Sequence, residues 1–482
     1  MSAAYTFLLA AALLALLPPS SSSGSQCDCP QNCICNNSKS VICSNLKTFP
    51  KLCNGTQFVT IRNSAISTLN ENDNLPISVR HLIVQRSQTK SIDEGFFPKG
   101  SELTLLSLDN NDIAKADWFK NIPHLANLDL GANHLSKLEV PSIIHLTDLK
   151  LNGNKIPHLD VSSALCKMDR SRLCNLHLDG MDLTAFPQGI IGCSDKTKKA
   201  LQVTFLSLSK NKIKVIPRMT SLKVKKLYFS SNRIKDIPDG TFPQSLTLLI
   251  VANNPLGYKG LTVVARLTNL KHLDLSGINY KYFPLDMFHS LTKLEFLSLM
   301  KCNITKIQAP MLKNLADLKS LNLQSNHLKY IPVDVWSPLK NIENVFLDHN
   351  EISHILQTDE MEIFLFHLKK LGISNNPFSC TCTIVWFSKW MRSLYRTTEI
   401  LSTQKMNCTS PAHYKGYPLA EFILPNCDKE KSDLEITLAT VAIIVLVAFI
   451  VGIMVCCCRQ GSHESQSKST ILNRGGRYYE AI

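Results

Sequence analysis

The chain has no H-E-x-x-H, no G-x-S-x-G and no glycine-rich phosphate loop. Those absences leave out metallopeptidase, serine-hydrolase and phosphate-handling chemistry of the kinds such motifs carry. Fourteen histidines are scattered, mostly beside apolar positions (His81, His177, His272). There each reads as a solvated strand residue facing outward, not as a base or a metal ligand. No enzyme and no cofactor is implied. Acidic residues are in deficit, with 38 Asp and Glu against 52 Lys and Arg, a formal net charge of +14. That surplus favours anionic partners and bears on association, not on fold. Aromatic residues make up only 7% and do not interleave with the lysines as stacking platforms, which argues against a nucleic-acid reader.

Long apolar runs are confined to two places. Phe7 to Leu17, FLLAAALLALL, is followed by PPSSSSGS. It is too short to span a bilayer and ends in small and helix-breaking residues, so residues 1–25 read as a secretory signal peptide, although no Lys or Arg precedes the run. Ile436 to Val455 holds 20 uncharged residues, the length that crosses the hydrocarbon core as one helix; with its cysteines the expected span is 436–458. Arg459, Lys468, Arg474 and Arg477 follow it, which places the C-terminus in the cytoplasm. The rival reading is a buried soluble helix. The 24-residue tail, 459–482, is rich in Ser, Gln and Gly and is expected to be disordered.

Between these runs the sequence repeats itself. Leu270, Leu294, Leu318 and Ile342 fall 24 residues apart, as do Leu273, Leu297, Leu321 and Val345, and Leu275, Leu299, Leu323 and Leu347. Clear units also start at Leu103, Leu125, Leu146, Leu173, Val203, Val224, Leu246 and Leu368, with two weaker ones at TQFVTIRNSAI and VRHLIVQRSQT, about 14 in all. Alternation at L-x-L predicts a short strand with one face inward. The ninth position is Asn at 111, 133, 154, 326, 350 and 376, while Ser64, Ile278 and Cys302 substitute for it. An amide there can satisfy backbone groups of the neighbouring turn. One unit cannot bury its own apolar face, so units must stack. Spacings of 27 and 30 residues after Leu146 and Leu173 mean that extra residues near 157–202 leave the stack as loops. Those loops carry Cys166, Cys174 and Cys193, two of which are expected to staple them.

The pattern L-x-x-L-x-L-x-x-N-x-L resembles the leucine-rich repeat. The resemblance implies an α/β leucine-rich-repeat solenoid over 56–376, curved, with a parallel β-sheet on its concave face. Residues 26–55, CDCPQNCICNNSKSVICSNLKTFPKLC at their heart, resemble the cysteine-rich N-terminal cap of extracellular proteins of this kind. Residues 377–427, with NPFSCTC, WFSKW and Cys408-Thr-Ser-Pro, resemble the C-terminal cap. The resemblance implies the bonds Cys29–Cys35, Cys33–Cys43, Cys380–Cys408 and Cys382–Cys427; Cys27–Cys53 is assigned to the remainder. A zinc cluster is the alternative for C-x-C-x3-C-x-C, disfavoured in an oxidising compartment. Trp386, Phe387 and Trp390 are expected to cover the last turn. A short linker, 428–435, then leads to the span.

Four N-x-S/T sequons, at Asn36, Asn54, Asn303 and Asn407, fit lumenal exposure and N-glycosylation. Outward strand positions include Phe205, Tyr228, Leu248 and Ile250, apolar where no core requires it. They are either a ligand-binding patch or scattered surface residues. Lys210, Lys212, Lys214, Lys225 and Lys226 belong to a basic stretch that is either a solvated face or a docking surface for an anion. Cys456, Cys457 and Cys458 suit palmitoylation or stand as plain thiols. Tyr479-Glu-Ala-Ile482 matches a Tyr-based sorting or adaptor signal, with Ile482 as its apolar position and as a terminal carboxylate for a groove-binding domain.

From cap to span the chain resembles Toll-like receptors and related leucine-rich-repeat type I receptors, without their cytoplasmic signalling domain. What the resemblance implies is a non-catalytic surface recognition receptor or co-receptor in innate immunity. It would sit in the plasma or endosomal membrane with its N-terminus outside. Its partners would be a protein or an anionic microbial or self ligand, the bilayer, a second leucine-rich-repeat receptor in a homo- or heterodimer, and an adaptor at Tyr479. A cell-adhesion or matrix-binding protein, and a decoy or regulator of Toll-like signalling, are the rivals.

Overall fold

A computed structural model describes residues 28–37, 39–139, 146–167, 172–193, 201–279, 286–330, 332–393 and 406–425, with 427, 441, 443–448 and 450. They fall into two compact units. The first runs to Leu347; the second takes Asp348 onward together with Lys329–Ile331.

The first unit is built on one sheet. An antiparallel pair, Cys33–Asn36 and Ser40–Ser44, opens it. Each later described strand of the sheet adds in parallel and in chain order, from Phe58–Arg62 and His81–Gln85 to three-residue strands ending at Asn344–Phe346. The two weak repeats are therefore strands of the same sheet. Leu273, Leu297, Leu321 and Val345 sit directly opposite one another across successive strands, so the 24-residue period is one turn of a leucine-rich-repeat solenoid. The central residue of each short strand is inside: Leu106, Leu149, Leu206, Leu249, Leu297 and Leu321 are 0% exposed. Each such side chain contributes roughly 1.5–3 kcal/mol of burial.

The column of asparagines holds turn to turn. Asn111 Oδ1 accepts from the Ser87 and Thr89 amides at 3.0 and 3.2 Å, and its Nδ2 donates to the Val84 and Leu108 carbonyls at 2.7 and 2.9 Å. Asn133, Asn154, Asn211, Asn232, Asn254 and Asn326 repeat the arrangement. The residue before each has a left-handed backbone: Asn110, Ala132, Gly153, Lys210, Ser231, Asn253 and Ser325. The chain must reverse there to aim the next amide at the previous turn. Only glycine takes that conformation freely; other residues give up roughly 1–2 kcal/mol. At Gly277, φ 70°, a Cβ would also collide with the Asn253 side chain.

The insertion is not only loop, as the spacing suggests. His158–Lys167 forms a helix packed on the turn Gln188–Ile190, burying Val161, Ala164, Leu165 and Ile190. Its backbone passes so close to Gly189 that a Cβ there would strike the Ser162 carbonyl. Cys166 bonds Cys193, leaving Cys174 free and exposed and Cys302 free and buried. Burial pushes the Cys302 thiol up to about 11. A maleimide at neutral pH is therefore expected to label Cys174 in the native chain. Cys302 should react only after unfolding, because the thiolate is the nucleophile. Peptide mapping reads both, and native labelling of Cys302 would contradict its placement.

Cys29–Cys35 and Cys33–Cys43 form as the resemblance implies. Cys53 is disulfide-bonded; Cys27 lies outside the described residues. In the second unit, helix Asp359–His367 is capped by the Thr358 hydroxyl, which accepts from the Met361 amide at 3.1 Å. Helix Cys382–Ser393 is held by Cys380–Cys408 and Cys382–Cys427. Phe387 is buried and stacks on Trp390 at 5.2 Å, while Trp386 is half-buried. Arg392 closes the unit by donating to the Ala420 carbonyl at 2.9 Å.

No helix among the described residues is long and apolar enough to cross a membrane. Of the expected span 436–458 only 441, 443–448 and 450 are described, helical and exposed. Cys456, Cys457, Cys458, Tyr479 and Ile482 lie outside the described residues.

Candidate functional site

The strand register lays out the open face of the sheet as two outward rows flanking the buried leucines. One row reads Asn175, Phe205, Lys226, Leu248, His272, Phe296; the other reads His177, Ser207, Tyr228, Ile250, Asp274, Ser298. Phe205 sits between His177 and Tyr228, with ring centroids at 4.5 and 5.0 Å. Ile250 is level with Tyr228, and Leu248 is two strands from Phe205 in its own row. His272 stacks on Phe296 at 6.2 Å. Phe205, Tyr228, Leu248 and Ile250 are thus neighbours on one face, each half-buried. This geometry makes a strip of rings and aliphatic side chains, with exposed Lys226 set into it.

Of the three strand histidines, His272 is exposed as the sequence suggests, while His81 and His177 are half-buried. His177 and His272 lie against rings, and desolvation lowers the basicity of both. Lys150 lowers that of His177 further, against the opposing pull of Asp179, Asp148 and Asp129. His81, edge-on to Phe58 at 4.9 Å, is lowered by burial and by Arg80. A base whose folded pKa lies below its unfolded value binds fewer protons when folded. Its stabilising contribution is whole above the unfolded value and is lost as pH falls through it. The melting temperature is therefore expected to fall between about pH 6.5 and 5, and His177→Phe should flatten the slope. Asp73 and Asp109, raised mainly by burial, oppose this only at lower pH. A melting temperature unchanged down to pH 5 would refute the neutral, half-buried placement.

The basic residues divide. Lys225 and Lys226 lie where their strand begins; Lys210, Lys212 and Lys214 follow the end of the preceding strand. Parallel pairing puts the two groups at opposite ends of the strands, on the order of 10 Å apart. Lys212 is also paired with Asp182 at 3.1 Å, and Lys210 occupies a left-handed position at φ 56°. The five lysines do not make one patch. A ladder that the sequence reading missed lies just before the later strands. There Lys271 and Lys319 grip Glu295 at 2.8 and 2.9 Å and draw its carboxyl down to about 2. The 24-residue period holds the signal for it, since all three occupy equivalent positions. Asn36, Asn54, Asn303 and Asn407 are all exposed.

The leucine rich repeat family matches residues 77–135 and 292–352. Podocan of Mus musculus is 26% identical over 296 residues, covering 59% of this chain and 43% of podocan. Toll-like receptor 3 of Mus musculus is 32% identical over 90 residues, 18% of this chain and 10% of the receptor. The chain thus spans less than half the length of either relative. Among solved structures, a leucine-rich-repeat protein of Leptospira interrogans superposes with a TM-score of 0.52 at 23% identity, covering 66% of this chain and 78% of that one. That likeness concerns the fold alone.

Proposed function

We propose that the chain is a non-catalytic recognition receptor or co-receptor that binds a protein ligand on the open face of its sheet, centred on Phe205, Tyr228, Leu248 and Ile250. One observation carries the reading: a continuous strip of rings and aliphatic side chains on a face that the core does not need. Clustered aromatic anchors of this kind dominate binding energy at protein interfaces. The division of the lysines supports a protein ligand over a polyanion, which would need the charges together. The signal peptide, the span and the exposed sequons support a type I surface protein. The partial likeness to Toll-like receptor 3 supports an innate-immune setting, with homo- or heterodimerisation as its assembly. Adhesion to another cell or to matrix is the second reading, favoured by the apolar character of the strip.

The test is capture of the purified protein on arrays of membrane ectodomains, glycans, lipids and nucleic acids at several salt concentrations. Phe205→Ala with Tyr228→Ala is expected to weaken capture of a protein ligand at least about tenfold. Changing Lys210, Lys212 and Lys214 together to Glu should leave it unchanged. Salt-sensitive capture of an anionic molecule, abolished by the lysine variant and not by the aromatic one, would overturn the reading.

A further inference from the structure

The second unit carries exposed apolar side chains out of proportion to its size. Leu356 is 56% exposed, Ile363 60%, Ile423 60% and Phe366 84%. Helix Asp359–His367 turns Met361, Phe364 and Leu365 inward. Ile363 and Phe366, three residues apart, fall on the side opposite them. That side gains nothing from the core, and its acidic residues, Asp359, Glu360 and Glu362, are confined to the first turn. The last turn of the helix carries exposed Phe366 beside its terminal residue His367, with exposed Lys369 and Lys370 following.

Covalent and hydrogen-bonded links tie this side to the place where the chain departs. Trp386 donates its indole N–H to the Ile355 carbonyl at 2.9 Å, one residue before Leu356. One turn back along the same helix, Cys382 is bonded to Cys427, four positions after Ile423. The uncharged 20-residue run begins nine positions after Cys427, at Ile436. Nine extended residues reach at most about 30 Å. If that run spans the bilayer, the second unit is held at the lipid surface whatever the first unit binds.

We infer that the helix face bearing Ile363 and Phe366 is a lipid-contact surface that rests in the outer leaflet of the membrane holding the chain. Apolar side chains at the end of a helix, with charges set back along it, suit the boundary between headgroups and acyl chains. The short tether supplies the high local concentration that makes so small a contact effective. The tether makes the bilayer the occupant, ahead of a protein partner. The inference rests on the reading of 436–458 as a span.

The test uses the full chain in phosphatidylcholine nanodiscs and hydroxyl-radical footprinting, which reads each side chain's access to water. The comparison is a variant carrying about 20 additional Gly and Ser residues between 428 and 435, which relaxes the tether. Phe366 and Ile363 are expected to oxidise at least about fivefold more slowly in the native chain than in the lengthened one. Tyr258, exposed in the first unit, should react equally in both. Equal oxidation of Phe366 in the two chains would overturn the inference while leaving the span intact. Protection that rises with the number of chains per disc would assign the face to a second copy and overturn it too. A chain that does not enter nanodiscs at all would refute the span itself, and the inference with it.

Discussion

Replacing Asn154 by Ala is expected to destabilise the first unit by about 2–3 kcal/mol. The side chain is 0% exposed. Its Oδ1 accepts the Leu135 amide at 2.9 Å, and its Nδ2 donates to the Leu130 and Leu151 carbonyls at 2.8 and 2.9 Å. Alanine would orphan the buried Leu135 amide, while the Leu130 carbonyl keeps the Asn133 side-chain donor at 3.1 Å and the Leu151 carbonyl keeps the backbone N–H of residue 154 at 3.3 Å. Each orphaned group costs roughly 1–3 kcal/mol. Asn154→Asp should be no milder, because it keeps the acceptor, removes both donors and buries a charge. Ser64 holds the same column where the stack begins and serves one amide, that of Leu46, at 3.0 Å; Ser64→Ala should cost only about 1 kcal/mol. Chemical unfolding followed by circular dichroism checks the ranking. Equal, small effects at the two positions would mean that the column is not what joins the turns.

The second large effect is expected at the insertion. Changing Cys166 and Cys193 together to Ala removes a bond between positions 27 residues apart. The chain-entropy argument assigns such a closure about 3.5 kcal/mol. The loss should be local, since each turn of a repeat array leans only on its neighbours. Helix His158–Lys167 and the turn at Gln188–Ile190 should become cleavable by protease, while turns beyond Leu246 stay resistant. Peptide mapping after brief digestion separates this from global unfolding. Protection unchanged in the double variant would show that burial of Val161 and Leu165 suffices to hold the insertion.

The interior was readable because burial and period coincide. Leu273, Leu297 and Leu321 announce themselves by spacing, and the strands place them opposite one another. The asparagine column was readable for the same reason: one polar residue recurring in an apolar frame needs a backbone to bond. The choice among Cys166, Cys174 and Cys193 was not, because spacing bounds a loop but does not orient Cβ vectors. The helix at His158–Lys167 was hidden because the repeat frame breaks there and its ten residues give too short a pattern. At the candidate site the alternation pointed to Phe205, Tyr228, Leu248 and Ile250. It could not show that Phe205 lies between His177 and Tyr228, since that depends on which strand neighbours which. Nor could it separate Lys210 from Lys226, sixteen positions apart in sequence and at opposite ends of paired strands.

Every described bond of the asparagine column stays within its own turn or reaches back one turn, and no further. A whole turn is therefore a heritable unit. If the coding sequence of one 24-residue stretch between Leu270 and Ile355 were duplicated or lost by unequal exchange, the strand rows would close up in register. Every amide would still find a carbonyl. The turn containing Cys193 has no such freedom, because its loss would strand Cys166 without its bond. Lineages of this chain are thus expected to lengthen or shorten between Leu270 and Ile342, where the turns are alike, and to be pinned at the stapled insertion.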